Sequence, residues 1–262
     1  MTNQEKNEYM SKWNRFQQKY ERYFEKRLNR ALKIQLDAFL KTQDIMAIPS
    51  FPIYTTLIEL YKKVGPAWAR VVRMDGIKAD GRMGFNEEIV ALMNEYYGID
   101  LLNDAEGITA YTREVIQRTL QRASMEGLSI NEIVRSLTTN SELGRMRARR
   151  IARTETVTAA NGAAMIYAKK SGYQMKKIWL SIQDNRTRHN QWANHLTIDG
   201  TTIDYEEPFK LKSNKLGDIF MQQPGVRTQP NGLAVPAVEI VNCRCTVAFQ
   251  AKRDRNGRII RA

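Results

Sequence analysis

The chain has 262 residues, 42% of them hydrophobic and 26% charged, a balance that suits one large folded domain or two modest ones. Lys and Arg number 41 against 28 Asp and Glu, a formal net charge of +13; such an excess draws a protein toward polyanions, nucleic acid first, although a merely solvated basic surface is the plainer alternative. No apolar run reaches the roughly 18 residues a membrane helix needs, and the opening run, Met1 to Phe16, is polar and charged, so neither a membrane span nor a secretory signal is expected.

Residues 5–43 read as one long helix. Tyr9, Trp13, Phe16, Tyr20 and Tyr23 recur at alternating spacings of four and three, and Ala31, Ile34 and Ala38 continue the stripe past a break at Arg27. Such a seam either packs on its own domain or docks on another subunit, and Trp13, Phe16, Tyr20 and Tyr23 are the candidate partner-binding residues. Pro49 and Pro52 precede an apolar helical stretch, 53–72, in which Gly65-Pro66 predicts a kink or break. Beyond Gly76, Gly81 and Gly84, Asn86 is an N-cap for a helix to Tyr97, with Glu87 and Glu88 at its positive end. Residues 109–125 form a further helix, and Ser129 with Glu132 makes a capping box for a short one over 131–137.

The character changes near residue 141. Residues 142–170 form a long helix whose first half carries Arg145, Arg147, Arg149, Arg150 and Arg153 and whose second half is small and apolar, with Gly172 as its C-cap. Residues 175–182 suit a strand, with Ile178 and Leu180 on one face and Trp179 on the other. Asp199-Gly200, between short β-prone runs, signals a hairpin. The stretch 211–236, rich in Gly, Pro, Asn and Gln, is expected to be a long loop. Residues 238–249 close the domain as a strand, and the basic tail, 252–262, is expected to fray or to bind something acidic. The fold class expected is α+β: a helical N-terminal half with a long N-terminal helix, then a smaller C-terminal domain of a long helix and a short, mainly antiparallel sheet. The regions are 1–140, 141–251 and the tail.

Arg145, Arg147, Arg149 and Arg150, with Lys252, Arg253, Arg255 and Arg258 of the tail, are the candidate phosphate contacts. Both histidines, His189 and His195, and both cysteines, Cys243 and Cys245, together make an accepted zinc ligand set. Yet the C-x-C spacing is off the C-x₂₋₄-C pattern of structural zinc sites, so both thiols are expected to reach one ion only if a turn or bulge re-aims one. The preferred reading needs no cofactor: one cysteine packs inward behind Trp179, the other faces outward, and Arg244 is offered to Glu155 or Asp184. No Walker loop, dinucleotide fingerprint or H-E-x-x-H motif occurs, and no nucleophile stands beside a base, so no catalytic residue is assigned.

Three segments form an ordered set: Ala152 to Thr156, Lys177 to Asp204 and Glu239 to Phe249. This order resembles the C-terminal domain of phage Mu F-like minor head proteins. The matching residues are Arg153-Thr154-Glu155, Trp179, Asp184, Arg186, Arg188, His195, Gly200, Phe209 and Asn242 to Cys245, within about 141–250. His189 has no counterpart in that pattern, and 209–236 is longer and more polar than its usual link. The resemblance implies a minor capsid, or head morphogenesis, protein of a tailed bacteriophage, without enzymatic activity. It would lie in the head interior near the portal, and in the host cytoplasm before assembly. Its partners would be the portal protein, other head proteins and double-stranded DNA held without sequence preference, and its task head assembly and genome packaging or ejection. It makes Arg153, Glu155, Trp179, Asp184, Arg186, Arg188, His195, Gly200, Cys243 and Cys245 a structural motif. The residues alone also admit a metal-dependent nuclease using His189, His195 and Asp184. A transferase toxin is a third reading, because Mu F-like domains occur beside toxin domains, but no extra domain of that size fits within these residues.

Overall fold

The computed structural model describes residues 1–72, 74–75 and 85–262; the Asn86 side chain and Gly76, Gly81 and Gly84 lie outside the described residues. The elements are α1 (Asn3–Thr42), α2 (Phe51–Ala69), β1 (Met74–Asp75), α3 (Phe85–Glu126), α4 (Ile130–Thr138), α5 (Arg145–Lys170), β2 (Met175–Leu180), β3 (Thr202–Asp204), β4 (Phe209–Ser213), β5 (Gly217–Met221), α6 (Ala237–Ile240) and β6 (Thr246–Ala251). The fold is α+β: long helices dominate the N-terminal half and small sheets the C-terminal part. Among the described residues no helix is long and apolar enough to cross a membrane.

Two compact units are built from interleaved segments: one from 1–20, 61–94 and 153–262, the other from 21–60 and 95–152. The sequence boundary near 141 falls inside the second unit. That unit is all-helical, with Leu36, Phe39, Ile48, Val115, Ile116, Leu137 and Leu143 as its core. Inside it the Gln35 side chain donates to Thr109 Oγ1 (2.7 Å) and accepts from Thr112 Oγ1 (3.0 Å), so its buried amide is satisfied. The capping box forms as the sequence predicts: Ser129 Oγ accepts from the Glu132 backbone, and Glu132 accepts from the Ser129 backbone. The helices expected over 86–97 and 109–125 are one, α3, continuous through Gly98 and Gly107. A Cβ at either glycine would meet nothing within 4 Å; each weakens the local helix propensity without any neighbour that needs it there.

The first unit holds a four-stranded sheet in the order β1-β6-β2-β3. β6 pairs antiparallel with β2 from Met175↔Ala251 to Leu180↔Thr246 and parallel with β1. Against it lies the second half of α5, where Val157, Ala159, Ala160, Ala163, Ala164 and Ala168 are buried; side chains this small let helix and sheet approach closely. α2 runs through Pro66, where the sequence predicts a break. Gly65 shows why an interruption would be costly: a Cβ there would sit 2.0 Å from Met93 Sδ and 3.2 Å from Ala163 Cβ, so this turn of α2 is wedged between α3 and α5.

Three expectations for the C-terminal part need correction. The stretch after 211 is no simple loop: β4 and β5 form an antiparallel hairpin from Phe209↔Met221 to Ser213↔Gly217. Phe209, Leu211 and Ser213 are buried while Lys210 and Lys212 face out, an alternation hidden by the Gly/Pro-rich composition that follows. Residues 196–199 make turns rather than a strand, because the Asp199 carboxylate is drawn inward to the Ser181 backbone N–H (2.8 Å); Gly200, at φ +79°, then feeds β3. The tail does not fray. Lys252 N–H donates to Gln174 O, Ala262 N–H to Gly172 O, and Arg253 pairs with Ile259 in a bridge.

Gly225 lies at φ +89°, and a Cβ on it would come within 2.8 Å of Thr158 Oγ1 and 2.9 Å of Thr158 Cα. The clash is with helix backbone, which cannot yield as a flexible side chain can. Gly225→Ala is therefore expected to destabilise the protein by about 3 kcal/mol. Gly232→Ala, equally left-handed at φ +83° but with open space around it, should cost about 1 kcal/mol. Urea midpoints of the two variants check the difference.

Candidate functional site

The turn before β6 creates the site. Asn242 adopts φ +63°, a left-handed conformation that asparagine tolerates better than most residues. Its backbone N–H donates to Thr154 Oγ1 (3.1 Å) and its side-chain oxygen accepts from Arg153 (3.3 Å). The Arg-Thr-Glu run of α5 thus holds the reversal of Asn-Cys-Arg-Cys in place. Because 238–249 is a short helix, a turn and then β6 rather than one strand, strand alternation does not apply to Cys243 and Cys245. Both are buried, correcting the expectation of one inward and one outward cysteine; even on a strand, residues two apart share a face.

Beyond the turn the backbone is held from three sides. Trp13 Nε1–H donates to Arg244 O (2.7 Å) and Tyr9 O–H to Val247 O (2.8 Å). Asn161, fully buried in α5, donates to Pro224 O (3.2 Å) and Cys245 O (3.1 Å) and accepts from Thr246 Oγ1 (2.9 Å) and Val247 N–H (3.2 Å). All four bonds that an amide side chain can make are made. Sequence reading missed Asn161; its signal was a single amide in the small apolar run of α5.

His195 meets the two thiols. Its Nδ1 lies 3.4 Å from Cys245 Sγ and 3.7 Å from Cys243 Sγ, and its Nε2 lies 2.6 Å from Glu239 Oε2. Glu239 and His195 are each 1% exposed or less. Trp179 packs its ring edge-on to His195 at 5.5 Å, and Ser181 Oγ donates to His195 O (2.7 Å) and lies 3.5 Å from Cys245 Sγ. Burial works against a charged imidazole, but the Cys243 thiolate and the Glu239 carboxylate outweigh it and hold His195 up at about 9. A hydrogen bond from the Cys245 thiol, with His195 adding to the effect, holds Cys243 well below the ordinary thiol range, whereas burial pushes Cys245 up. Glu239, within the segment quoted for the resemblance, was given no role by the sequence.

The other motif residues form ion pairs around this centre. Asp184 is clamped by Arg244, with Nη1 at 2.7 Å from Oδ2 and Nη2 on Oδ1, while its Oδ1 also accepts from the Arg186 backbone. The Arg244 guanidinium holds the Asp184 carboxyl well below the usual carboxylate range. Glu155 accepts from Tyr61 O–H (3.0 Å) and Arg227 (2.7 Å), so Asp184 and not Glu155 takes Arg244. Arg188 donates to Val241 O. His189 stands apart: it is exposed and its Nδ1 lies 2.7 Å from Thr187 O. Asp184, His189 and His195 are therefore not gathered around one point as a metal-dependent nuclease would need. Among the described residues, the His, Cys, Asp and Glu groups that converge as a candidate metal set are His195, Cys243 and Cys245.

The candidate partner and phosphate contacts are placed differently from what the sequence suggests. Trp13 is fully buried, with its ring 4.7 Å from Trp68, and Phe16 lies 4.8 Å from the same ring. Trp13 thus serves its own unit's core and is no exposed docking residue; Phe16 and Tyr20 are half-buried and Tyr23 is exposed. Arg147 is buried, donating to Thr112 Oγ1 (2.9 Å) and Ile108 O (2.6 Å), and burial lowers it to about 10. Arg145 pairs with Glu25 and Arg149 with Glu21 (2.8 Å), while Arg150 is exposed. In the tail, Lys252 pairs with Asp204 (2.7 Å), and Arg253, Arg255 and Arg258 are exposed.

The model of the family described as phage Mu protein F like protein matches residues 114–248. The chain belongs to this family. Its members are phage head morphogenesis proteins, and the Mu F-like match reaches further toward the N-terminus than the motif residues do, taking in α4 and the end of α3. Among curated proteins, the chain is similar to the uncharacterized protein YqbB of Bacillus subtilis (strain 168), 29% identical over 55% of this chain and 44% of that one. It is also similar to the NAD(+)–arginine ADP-ribosyltransferase EFV of Enterococcus faecalis, 34% identical over 46% of this chain and 22% of that one. The chain thus spans less than half the length of either relative. No solved structure matches it.

Two outcomes test this Mu F-like site. Asn161→Leu should lower stability by at least about 3 kcal/mol, because it strands four buried polar partners, and urea unfolding reads it directly. Asp184→Asn should cost about 1 kcal/mol at pH 7, a figure kept small by the partial exposure of the pair. A carboxylate whose folded pKa is depressed contributes stability above its unfolded pKa and loses it as pH falls. The gap between wild type and Asp184→Asn should therefore close as pH drops below about 4.

Proposed function

We propose that the protein is a minor head protein that sits with the portal and other head proteins beside double-stranded DNA and assists head assembly and genome packaging or ejection. The observation that carries this reading is the family match over 114–248, which contains the whole Arg-Thr-Glu to Asn-Cys-Arg-Cys framework. The net charge of +13 supports contact with DNA. Since Arg145, Arg147 and Arg149 are engaged within their own unit, the exposed tail arginines Arg255 and Arg258 are the better phosphate contacts. The role proposed is structural, and the burial of the converging side chains away from any external substrate supports it. The ADP-ribosyltransferase activity in one relative's name belongs to a protein of which 22% is matched, and it does not carry over.

The test is assembly and binding. The protein should co-sediment with portal-containing heads and leave plasmid DNA intact in magnesium or zinc. Its DNA affinity should fall with salt regardless of sequence. Replacing Arg255 and Arg258 by alanine should flatten the slope of log K against log salt by about 2, roughly one for each arginine that no longer neutralises a phosphate. A protein that stays in the supernatant of assembled heads, or binds DNA with a salt-independent constant, is not the one proposed.

A further inference from the structure

We propose that His195, Cys243 and Cys245 bind one zinc ion, with Glu239 as the residue that orients the histidine. The histidine nitrogen already stands at zinc-site spacing from both sulfurs. Zinc bonds of about 2.3 Å to sulfur and about 2.0 Å to nitrogen, at tetrahedral angles, put nitrogen and sulfur about 3.5 Å apart. Nδ1 of His195 lies 3.4 Å from Cys245 Sγ and 3.7 Å from Cys243 Sγ, and the three ligand atoms all fall within 4.8 Å of one another.

Glu239 supplies an independent observation. It is fully buried, and its Oε2 lies 2.6 Å from His195 Nε2. A carboxylate there keeps the proton on Nε2 and aims Nδ1 at the two sulfurs, so that Nδ1 would give up its proton on metal binding, the carboxylate–histidine–metal arrangement that fixes tautomer and ring orientation. Its second oxygen, Oε1, is buried without a hydrogen-bond partner, a costly state for a group serving packing alone. Two thiolates and an imidazole select zinc over calcium, magnesium or manganese. A cavity of about 10 Å³ borders His195 and Cys245, room for about one water that could complete the coordination. The ion would tie the turn that carries His195 to the start of β6, cross-linking two segments that the sheet does not join directly.

The whole chain, purified under reducing conditions, is dialysed with zinc chloride and then against metal-free buffer, and its metal is counted by mass spectrometry. One equivalent of zinc is expected. Cobalt taken up in its place should show thiolate-to-cobalt charge transfer and the intense visible bands of a tetrahedral site. Cys243→Ser and Cys245→Ser should each lose the ion, while His189→Ala keeps it. Glu239→Gln should weaken zinc affinity about 10- to 100-fold, a readout that survives even if the cysteine variants fail to fold. Wild-type protein that retains no zinc overturns the proposal, as does iron or copper in its place. So does a folded Cys243→Ser variant with undiminished affinity.

Discussion

The amide of Asn161 is the constraint on which the sheet-bearing first unit depends. A buried amide costs free energy unless each of its polar positions is used, and here the four partners come from the loop at Pro224 and from Cys245, Thr246 and Val247. Helix α5, the loop after β5 and the first residues of β6 are thereby locked in one register. Trp13 and Tyr9 grip the same backbone at Arg244 O and Val247 O. Everything near His195 follows from that grip: the sheet partner of Trp179 is Val247, and Cys245 is placed by the carbonyl that Asn161 holds.

The Arg-Thr-Glu and Asn-Cys-Arg-Cys runs, about ninety residues apart in sequence, are two halves of one device. Arg153 and Thr154 stabilise a left-handed asparagine that most side chains would resist. Glu155 faces the other way and binds Tyr61 and Arg227. With the reversal secured, Cys243 and Cys245 both face His195, and Arg244 reaches Asp184 to tie down the loop that carries Arg186 and Arg188. The motif residues of the Mu F-like family act as a set because each stabilises the geometry that another needs.

Charge in this protein is divided between interior and surface. Arg147 in the helical unit and Lys177 in the sheet unit are buried, and burial lowers them to about 10 and about 8. Lys177 is held by Gln222 O at 3.0 Å and faces the Phe209 ring, and Arg147 stacks over Tyr111. Arginine suits such a place because its guanidinium is weakly hydrated and can both donate and stack. The net charge offered to a polyanion is accordingly smaller than a count of basic residues implies, and the tail carries a large part of it.

The sequence by itself determined the helices and the ordered motif. Apolar periodicity marked α1, the Ser129–Glu132 pair marked the start of α4, Gly172 marked the end of α5, and the ordered motifs from Arg153 to Cys245 resembled those of the family. These features are local, or are strings that can be matched without knowing any distance. Only the tertiary structure decided how they were used. Whether the aromatic stripe of α1 faced solvent or core depended on Trp68, far along the chain; whether Arg147 met phosphate or protein depended on Thr112 and Ile108. Whether the two cysteines met a histidine depended on the turn that carries His195, some fifty residues earlier in the chain. Side-chain direction in a turn is set by partners distant in sequence, and periodicity, which counts only neighbours, carries no information about them.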